Sequence, residues 1–268
     1  MERSAYTEGV RTATAVRPRA FLRASGPDAE DFLQRMLSND VAALVAGASC
    51  DALLLTPKGR VIAPVRVHRR GPDDFLLLTE PELGEALRDQ LVRARFAAKV
   101  ELEPEEHTST LVFDGDADGI PNGDYGSPAV EVLDADLEPT LDDDALELMR
   151  IEAGTPAWGK EVDERVLPAE AGLVERAVSL TKGCYPGQEP IARLHYRGHA
   201  NRGLRVLRIA ADALPEADAE LVYEGKPVGR VTSAARSDGA IVALAYVRAE
   251  VPRDAELRLG DATARPLH

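Results

Sequence analysis

Residues 181–189 are Thr181-Lys182-Gly183-Cys184-Tyr185-Pro186-Gly187-Gln188-Glu189. This stretch puts a thiol, that of Cys184, in a loop with glycines on both sides, just ahead of a predicted helix start. Pro186 suits a first helical turn because it has no backbone N–H to donate. A helix N-terminus and the nearby Lys182 would both favour the thiolate. The local sequence leaves two interpretations open, a reactive cysteine and a small unreactive one in a tight turn.

The bulk composition predicts a folded cytoplasmic protein. The chain has 268 residues, of which 44% are hydrophobic and 29% charged, and this is ordinary for a globular protein with a real core. No apolar run approaches the roughly 18 residues that a membrane span needs. Residues 1–6 lack the apolar core of a secretory signal. Two cysteines, Cys50 and Cys184, are too few for a disulfide scaffold and indicate a reducing compartment.

The net charge of −14 is unevenly distributed along the chain. Residues 101–150 carry 16 Asp and Glu against one Arg, so the rest of the chain sums to +1. Residues 182–208 carry six Lys or Arg against one Glu, which gives +5 with the histidines uncounted. We expect the acidic block to form a solvated face or loop, and we expect no nucleic-acid partner.

Hydrophobic periodicity predicts an α+β fold followed by a small antiparallel β-barrel. Apolar residues at helical spacing predict helices at residues 27–37, 81–96 and 142–153. Short apolar stretches predict strands at residues 53–55, 61–67, 75–78, 100–102 and 110–113. After Gly203, alternating stretches between turn residues predict barrel strands at residues 204–209, 220–223, 228–233, 240–247 and 256–259.

Two patterns imitate metal sites. Residues 114–119 begin like a calcium-binding loop, but Tyr125 stands where that loop needs a bidentate Glu. Residues 114–126 are therefore predicted as a surface loop. His195 and His199 have the spacing of a helical metal pair, but a glycine interrupts the pair and no second thiol is available. We predict no metal site.

The loop around Cys184 also carries a resemblance to a known family. The YgfZ-type folate-binding proteins, a family of iron–sulfur cluster assembly or repair factors, have a similar signature. It is matched here by Lys182-Gly183-Cys184-Tyr185-x-Gly187-Gln188-Glu189, Ala192-Arg193 and Arg197-Gly198. Further similar stretches are found at residues 26–41, 56–60, 150–154, 167–173, 225–233 and 243–247. The resemblance therefore covers nearly the whole chain.

The resemblance implies the fold of the glycine-cleavage T-protein. In that fold two interleaved α+β subdomains and a barrel form a ring around a central channel. We expect the folate-binding region over residues 1–202 and the C-terminal antiparallel β-barrel over residues 203–268, in a monomer. The resemblance further implies that tetrahydrofolate, or another reduced folate, is held in the channel.

A pterin needs a carboxylate partner. Its amino group and a ring N–H form a two-donor edge that a carboxylate accepts in bidentate fashion. Glu152 is the first candidate for this role, and Glu170 is the second. Trp158 falls where the T-protein pattern has an aromatic residue. It is either a stacking surface for the folate or a core residue.

The signature loop and the basic stretch after it supply the other expected folate contacts. By the resemblance, Lys182, Tyr185 and Gln188 belong to the folate site. Arg193 and the arginines that follow it form a positive stretch that would attract the anionic polyglutamate tail of a folate.

One departure from the T-protein pattern bears on catalysis. Its pair of aspartates is replaced by Ala63-Pro64, and neither residue relays a proton, so we expect no aminomethyl transfer. The resemblance implies instead a folate-binding protein that supports assembly or maintenance of iron–sulfur proteins and dependent tRNA modification. Cys184 would be its reactive thiol, and assembly proteins or client enzymes its partners. Two alternatives stay open, a folate-dependent methyl- or aminomethyltransferase and a folate-binding module without chemistry.

Overall fold

The computed structural model describes residues 12–115, 117–237 and 239–267. Three parts of the sequence predictions lie outside these ranges. They are residues 1–6, where no secretory signal is expected, Asp116 of the calcium-like pattern, and His268, the last residue of the predicted barrel. The described strands are, in chain order, β1 Thr14–Val16, β2 Ala20–Ser25, β3 Ser49–Leu55, β4 Val61–Gly71, β5 Asp74–Thr79, β6 Glu101–Glu105, β7 Ser109–Phe113, β8 Ile120–Asn122, β9 Ala129–Leu133, β10 Arg202–Ala210, β11 Glu220–Tyr223, β12 Lys226–Ser237, β13 Ala240–Arg248, β14 Leu257–Leu259 and β15 Ala262–Pro266. The described α-helices are α1 Ala29–Met36, α2 Gly84–Ala94, α3 Asp143–Glu152, α4 Val174–Ala177 and α5 Gln188–Arg197.

The first sheet is antiparallel, with the strand order β3-β4-β5-β2-β6. Helices α1 and α2 cover one face of it, because each helix carries a buried apolar stripe that a sheet face can accept. Leu33 of α1 and Leu87 of α2 are fully buried against sheet residues such as Leu54 and Leu77. This packing gives the molecule its largest apolar core.

The second sheet has the strand order β1-β7-β9-β8 and packs against α3. Its first strand pairs with β7, as in Thr14 opposite Val112, so the five strands of the first sheet are inserted between these partners. Asp142 caps α3 by accepting a 2.8 Å hydrogen bond from the Ala145 N–H. The two α+β units are therefore interleaved along the chain.

The C-terminal strands close into a barrel in the order β10-β13-β12-β11-β14-β15. Alternate residues point inward, so Leu207, Ile209, Leu221 and Ile241 are fully buried. The predicted α+β fold with a C-terminal antiparallel barrel is thus confirmed.

A buried polar cluster attaches the barrel to the rest of the molecule. Arg150, at the end of α3, donates to the Glu161 carboxylate at 2.9 Å and to the Ser233 hydroxyl on β12 at 2.9 Å. Ser233 in turn donates to Glu161 at 2.6 Å, and the Tyr246 hydroxyl donates to the Glu161 carbonyl at 2.7 Å. These groups satisfy one another inside the junction, which fixes the orientation of the barrel.

The signature loop packs tightly against the turn between β3 and β4. Gly187 has φ +84° and precedes α5, and a Cβ atom there would lie 2.7 Å from the Thr56 carbonyl oxygen and 3.0 Å from the Gly59 Cα. Gly59 also has positive φ, at +72°. Two stretches that the sequence analysis singled out therefore meet backbone to backbone, and only glycine permits this approach.

We expect Gly187→Ala to lower the free energy of unfolding by about 2–4 kcal/mol, because it adds left-handed strain to an overpacked contact. Gly183→Ala is the matched control, since Gly183 is exposed and no atom lies within 4 Å of the added Cβ. Urea unfolding of both variants provides the measurement. Equal stabilities would contradict the close approach.

Candidate functional site

A cleft lies between the two sheets, at the centre of the molecule. It encloses about 720 Å³ of space free of protein atoms, part of it open to solvent, but the space in which a water molecule can be centred is only about 90 Å³. Its lining residues are Arg17, Arg19, Asp51, Ala52, Leu53, Pro64, Val65, Arg66, Glu80, Asp124, Tyr125, Arg150, Thr155, Pro156, Ala157, Trp158, Val162, Leu173, Arg176 and Ala177. Five arginines and three carboxylates thus line a narrow cleft whose remaining walls are mostly apolar.

Arg66, in the middle of β4, is the centre of the charged lining. Its guanidinium donates to Asp51 at 2.9 Å, to Glu131 at 2.8 Å and to Asp124 at 3.3 Å. The Arg66 side chain is only 6% exposed, so it needs these partners to offset the loss of water. Asp51 belongs to the first sheet, whereas Glu131 and Asp124 belong to the second sheet and its β8–β9 loop. Arg66 therefore connects the first sheet with the second sheet.

Glu131 is the most deeply buried member of this set. It is 0% exposed and accepts hydrogen bonds from Arg19 at 2.7 Å, Arg66 at 2.8 Å and the Asn122 amide at 2.7 Å. Burial by itself raises the pKa of a carboxyl group, but the two guanidinium groups outweigh it and lower the pKa of Glu131 to about 2. Glu131 is therefore an anion at every physiological pH.

Asp124 and Arg176 line the cleft next to Asp51 and Arg66, and we call this part of the lining its inner end. Arg176, from α4, donates to Asp51 at 2.7 Å and also to Asp124. A second opening lies next to the cleft. It is lined by Ser49, Cys50, Asp51, Arg66, Pro121, Asn122, Gly123, Pro128, Ala129 and Arg176. The two openings share Asp51, Arg66 and Arg176, so these three side chains separate one cleft from the other.

In another part of the lining, Arg17 and Glu80 form a bidentate ion pair. The Arg17 Nη2 atom lies 2.6 Å from Glu80 Oε1, and Nη1 lies 3.0 Å from Oε2. The Arg17 Nε atom is buried, and it has no hydrogen-bond partner among the described residues. A buried donor without a partner in a cleft marks a place where a ligand or a water molecule would be stabilising. Arg17 is thus a candidate ligand contact.

The lining can bind anions and polar edges but offers no free base. Asp51, Glu80 and Asp124 are the carboxylates that line the cleft, and each is ion-paired with at least one arginine. Pro64 lines the cleft, while its neighbour Ala63 is fully buried in the core. The described side chains therefore suit binding and orientation of a ligand more than proton transfer.

The structure brings only one of the predicted folate contacts into the cleft. Trp158 lines it and packs on the apolar clusters on both sides. Glu152 instead accepts a 2.9 Å hydrogen bond from Ser237 at the end of β12. Glu170 forms an ion pair with Arg202, at 3.1 Å. Neither carboxylate lines the cleft, so each is already committed to the junction with the barrel.

The signature loop also lies away from the cleft lining. The Lys182 ammonium donates to the carbonyls of Leu37 and Asn39, each at 2.7 Å, and burial lowers the pKa of Lys182 to about 8. These hydrogen bonds hold the loop to the turn after α1, and a role of Lys182 toward the Cys184 thiol stays a prediction. Cys184 itself is exposed.

The other predicted residues of this region have separate environments. Tyr185 is buried in the apolar cluster beside β3 and β4, and its hydroxyl has no hydrogen-bond partner among the described residues. Gln188 is the first residue of α5, and Arg193 is exposed on the same helix. Their roles toward a folate stay predictions.

The arginine–carboxylate set escaped the sequence analysis because its members are far apart in the chain. Asp124 falls inside residues 114–126, which were expected to be a surface loop, yet this segment contains β8, and Asp124 itself pairs with Arg66 and Arg176. One signal was present: Arg66 interrupts the otherwise apolar run of residues 61–67, and an arginine on a buried strand face needs a buried partner.

Comparisons with known proteins agree with this architecture. No protein-family model matches the chain. An uncharacterized protein of Haemophilus influenzae is 26% identical over 89% of both chains, and the tRNA-modifying protein YgfZ of Edwardsiella ictaluri is 28% identical over 90% of this chain and 85% of its own. A mitochondrial iron–sulfur cluster assembly factor homologue of Neurospora crassa is 26% identical over 69% of this chain and 51% of its own.

A solved structure shows the fold. The glycine cleavage system aminomethyltransferase T from Bartonella henselae superimposes with a TM-score of 0.80 over 96% of this chain and 85% of its own, at 20% identity. The chain is similar in sequence to the YgfZ proteins, and it has the T-protein fold. The T-protein-like fold expected from the resemblance is thereby confirmed. Among the described residues, no helix is long and apolar enough to cross a membrane, and no three His, Cys, Asp or Glu side chains group to hold a metal ion.

The buried pairing of Glu131 predicts a loss of stability in acid. Its pKa in the folded protein is about 2, below the unfolded value of about 4.3, so its contribution is present above about pH 4.3 and is lost as the pH falls toward about 2. Glu131→Gln should lower the free energy of unfolding at pH 7 by about 3–5 kcal/mol and flatten this acid dependence. Unfolding measured across pH tests this. The exposed Glu138→Gln serves as control, and equal acid slopes for Glu131→Gln and the unmodified protein would contradict the assignment.

Proposed function

We propose that the chain binds a reduced folate in the central cleft and supports the assembly or maintenance of iron–sulfur proteins, and through them tRNA modification. The observation that carries the folate part is the cleft itself, because five arginines, three carboxylates and Trp158 meet there within the T-protein fold. The second part draws on the relatives, which are named as tRNA-modifying proteins and as an iron–sulfur cluster assembly factor.

The cleft residues fit the chemistry of each part of a folate. The two-donor edge of a pterin matches a carboxylate, and Asp51 and Asp124 are the carboxylates at the narrow inner end. Trp158 offers a flat surface for a ring. The glutamate part carries carboxylates, which a guanidinium group such as that of Arg17 binds well. The Nε atom of Arg17 is buried and has no hydrogen-bond partner among the described residues. A bound carboxylate would satisfy this donor.

Binding requires the inner end of the cleft to rearrange. Water-sized space is only about 90 Å³, which is far below the roughly 300–1,000 Å³ of sites for small ligands. Asp124 lies on the β8–β9 loop, and Arg176 is partly exposed, so these two can separate without disturbing either apolar core. A folate would replace their ion pair with contacts of its own, and the exchange keeps each charge partnered.

A bound folate supplies a carrier for one-carbon units, and the side chains around it decide whether that unit is transferred. A folate-dependent transferase is the competing function, and a putative chloroplast transferase of Arabidopsis thaliana is 28% identical over 79% of this chain. Against it, Pro64 occupies the cleft wall where a proton-accepting residue is expected, and the lining carboxylates are all ion-paired. We therefore favour a binding protein whose chemistry resides in a thiol.

Cys184 is the better placed of the two thiols for a reaction with a partner protein. It is exposed, in a loop held on one side by the Lys182 hydrogen bonds and on the other by the packing of Gly187. Cys50 is half-buried on β3, where burial and the charge of Asp51 raise its pKa to about 12. Thiolate formation at Cys50 is therefore suppressed at neutral pH.

The folate proposal predicts which carboxylate matters. Asp51→Asn should weaken tetrahydrofolate binding by about tenfold or more, since an amide presents N–H donors to the donors of the pterin edge and leaves them unpaired. Glu152→Gln makes the same chemical change outside the cleft lining and should leave the affinity unchanged. Calorimetric titration of both variants, with thermal unfolding as a check on folding, provides the measurement. If only Glu152→Gln weakens binding, the site lies at the barrel junction, as the sequence analysis expected.

The thiol proposal predicts that Cys184→Ser fails to restore the activity of iron–sulfur enzymes in a strain that lacks this gene. Cys50→Ser should restore it, because a thiol with a pKa of about 12 contributes little thiolate. Assays of several cluster-containing enzymes in the complemented strains provide the measurement. A folded Cys184→Ser protein that complements fully would rule out the thiol and leave a folate-binding module.

A further inference from the structure

A positively charged groove lies on the barrel and on the segment that joins α5 to β10, and it shares no lining residue with the central cleft. One part of it is lined by Ala169, His199, Ala200, Arg202, Gly203, Leu204, Arg205, Val206, Val247, Ala249, Arg253 and Pro266. The adjoining part is lined by Arg202, Pro227, Val228, Gly229, Arg230, Tyr246 and Arg248. We call these residues together the basic groove. Five arginines and a histidine line it, and within the described ranges its lining contains no Asp or Glu.

Two arginines of the basic groove, Arg205 and Arg253, lie close enough for their charges to repel each other. Arg205 is fixed by donating to the carbonyls of Pro252, at 2.8 Å, and Val251, at 2.5 Å, which places it beside Arg253. Burial and the charge of Arg253 both lower the pKa of Arg205. Arg253 is exposed and forms no ion pair with any described residue. Such unopposed like charges destabilise the free protein and would be relieved by a bound anion.

The other three arginines of the basic groove each form an ion pair with one carboxylate. Arg202 is held by Glu170 and lies 4.5 Å above the Tyr246 ring. Arg230 is paired with Asp218, and Arg248 is paired with Glu250 at 3.3 Å. An ion pair made with only part of a guanidinium leaves other N–H donors available, and its fixed fork suits phosphate oxygens.

Helix α5 adds exposed aromatic surface next to these charges. Tyr196 is 65% exposed, and its ring meets that of His195 edge to face at 4.9 Å. Arg193 and Arg197 are exposed on the same helix, which ends just before His199 of the groove. A positive groove with neighbouring exposed aromatic rings is the arrangement that binds single-stranded nucleic acid, because phosphates follow the charges and bases stack on the rings.

We propose that the basic groove binds single-stranded RNA through its sugar–phosphate backbone. The choice of RNA rests on the proposed function, in which tRNA modification depends on this chain. The net charge of −14 is no obstacle, since the 16 acidic residues of positions 101–150 belong to other elements than α5 and the barrel strands. The proposal replaces the expectation that nucleic acid is not a partner.

Fluorescence anisotropy with a labelled single-stranded oligoribonucleotide of about 15 nucleotides, titrated at several salt concentrations, tests the proposal. Arg253→Glu should weaken binding by about tenfold and reduce the salt dependence by about one phosphate contact. The same variant should keep or raise the thermal stability of the protein, because the new carboxylate faces Arg205. Tyr196→Ala should weaken binding through lost stacking. Arg93→Glu makes the same charge change on α2 and should have no effect.

Three results would overturn the proposal. They are the absence of salt-dependent RNA binding, an equal loss in Arg93→Glu and Arg253→Glu, and displacement of the RNA by oligoglutamate at matched charge concentration. The last would assign the groove to acidic peptides or folate tails. Titration of Arg253→Glu with tetrahydrofolate separates the two proposals. If Arg253→Glu weakens RNA binding and leaves the folate affinity unchanged, both proposals are supported. If the unmodified protein does not bind folate, only the folate proposal fails.

Discussion

The structure depends on one buried contact, that of the Glu131 carboxylate with Arg19 and Arg66. Glu131 lies on β9 of the second sheet, whereas Arg19 directly precedes β2 and Arg66 lies on β4 of the first sheet. The contact therefore decides how the two sheets face each other. Each half has its own apolar core, and the apolar cluster between the sheets is small. A buried ion pair adds little net stability compared with apolar packing, but it penalises any arrangement that separates its charges. The width and charge of the cleft follow from this geometry.

The same charges would make the cleft selective for the proposed folate. Around Arg66, each lining arginine and carboxylate is paired in the free protein, so an apolar molecule entering the inner end would leave charges unpartnered. A ligand that carries both carboxylates and a two-donor edge can replace the pairs that it breaks. A reduced folate has both features. The cleft, proposed for a small ligand, and the basic groove, proposed for RNA, share no lining residue.

Local patterns in the sequence predicted most elements correctly. The helix expected at residues 142–153 is α3, and the strands expected at 53–55 and 61–67 are β3 and β4, because hydrophobic periodicity and turn residues act over short distances. The strands β1, β2, β8, β9 and β15 and the helix α4 were not predicted. The elements β1, β8 and α4 are very short, and β1 pairs with a strand about 95 residues away in the chain. The cleft charges escaped for the same reason. Lys182 shows the same limit of local patterns: it is close to Cys184 in sequence, but its hydrogen bonds go to the carbonyls of Leu37 and Asn39, which are far away in the chain.

A crystal structure of the protein with tetrahydrofolate would test the central claim most directly. The account predicts density for the pterin at the inner end of the cleft, next to Asp51 and Arg66, with Asp124 and Arg176 no longer in contact and a carboxylate of the ligand on Arg17. Density for the ligand at Glu152 or in the basic groove, with the arginine–carboxylate set unchanged, would contradict it.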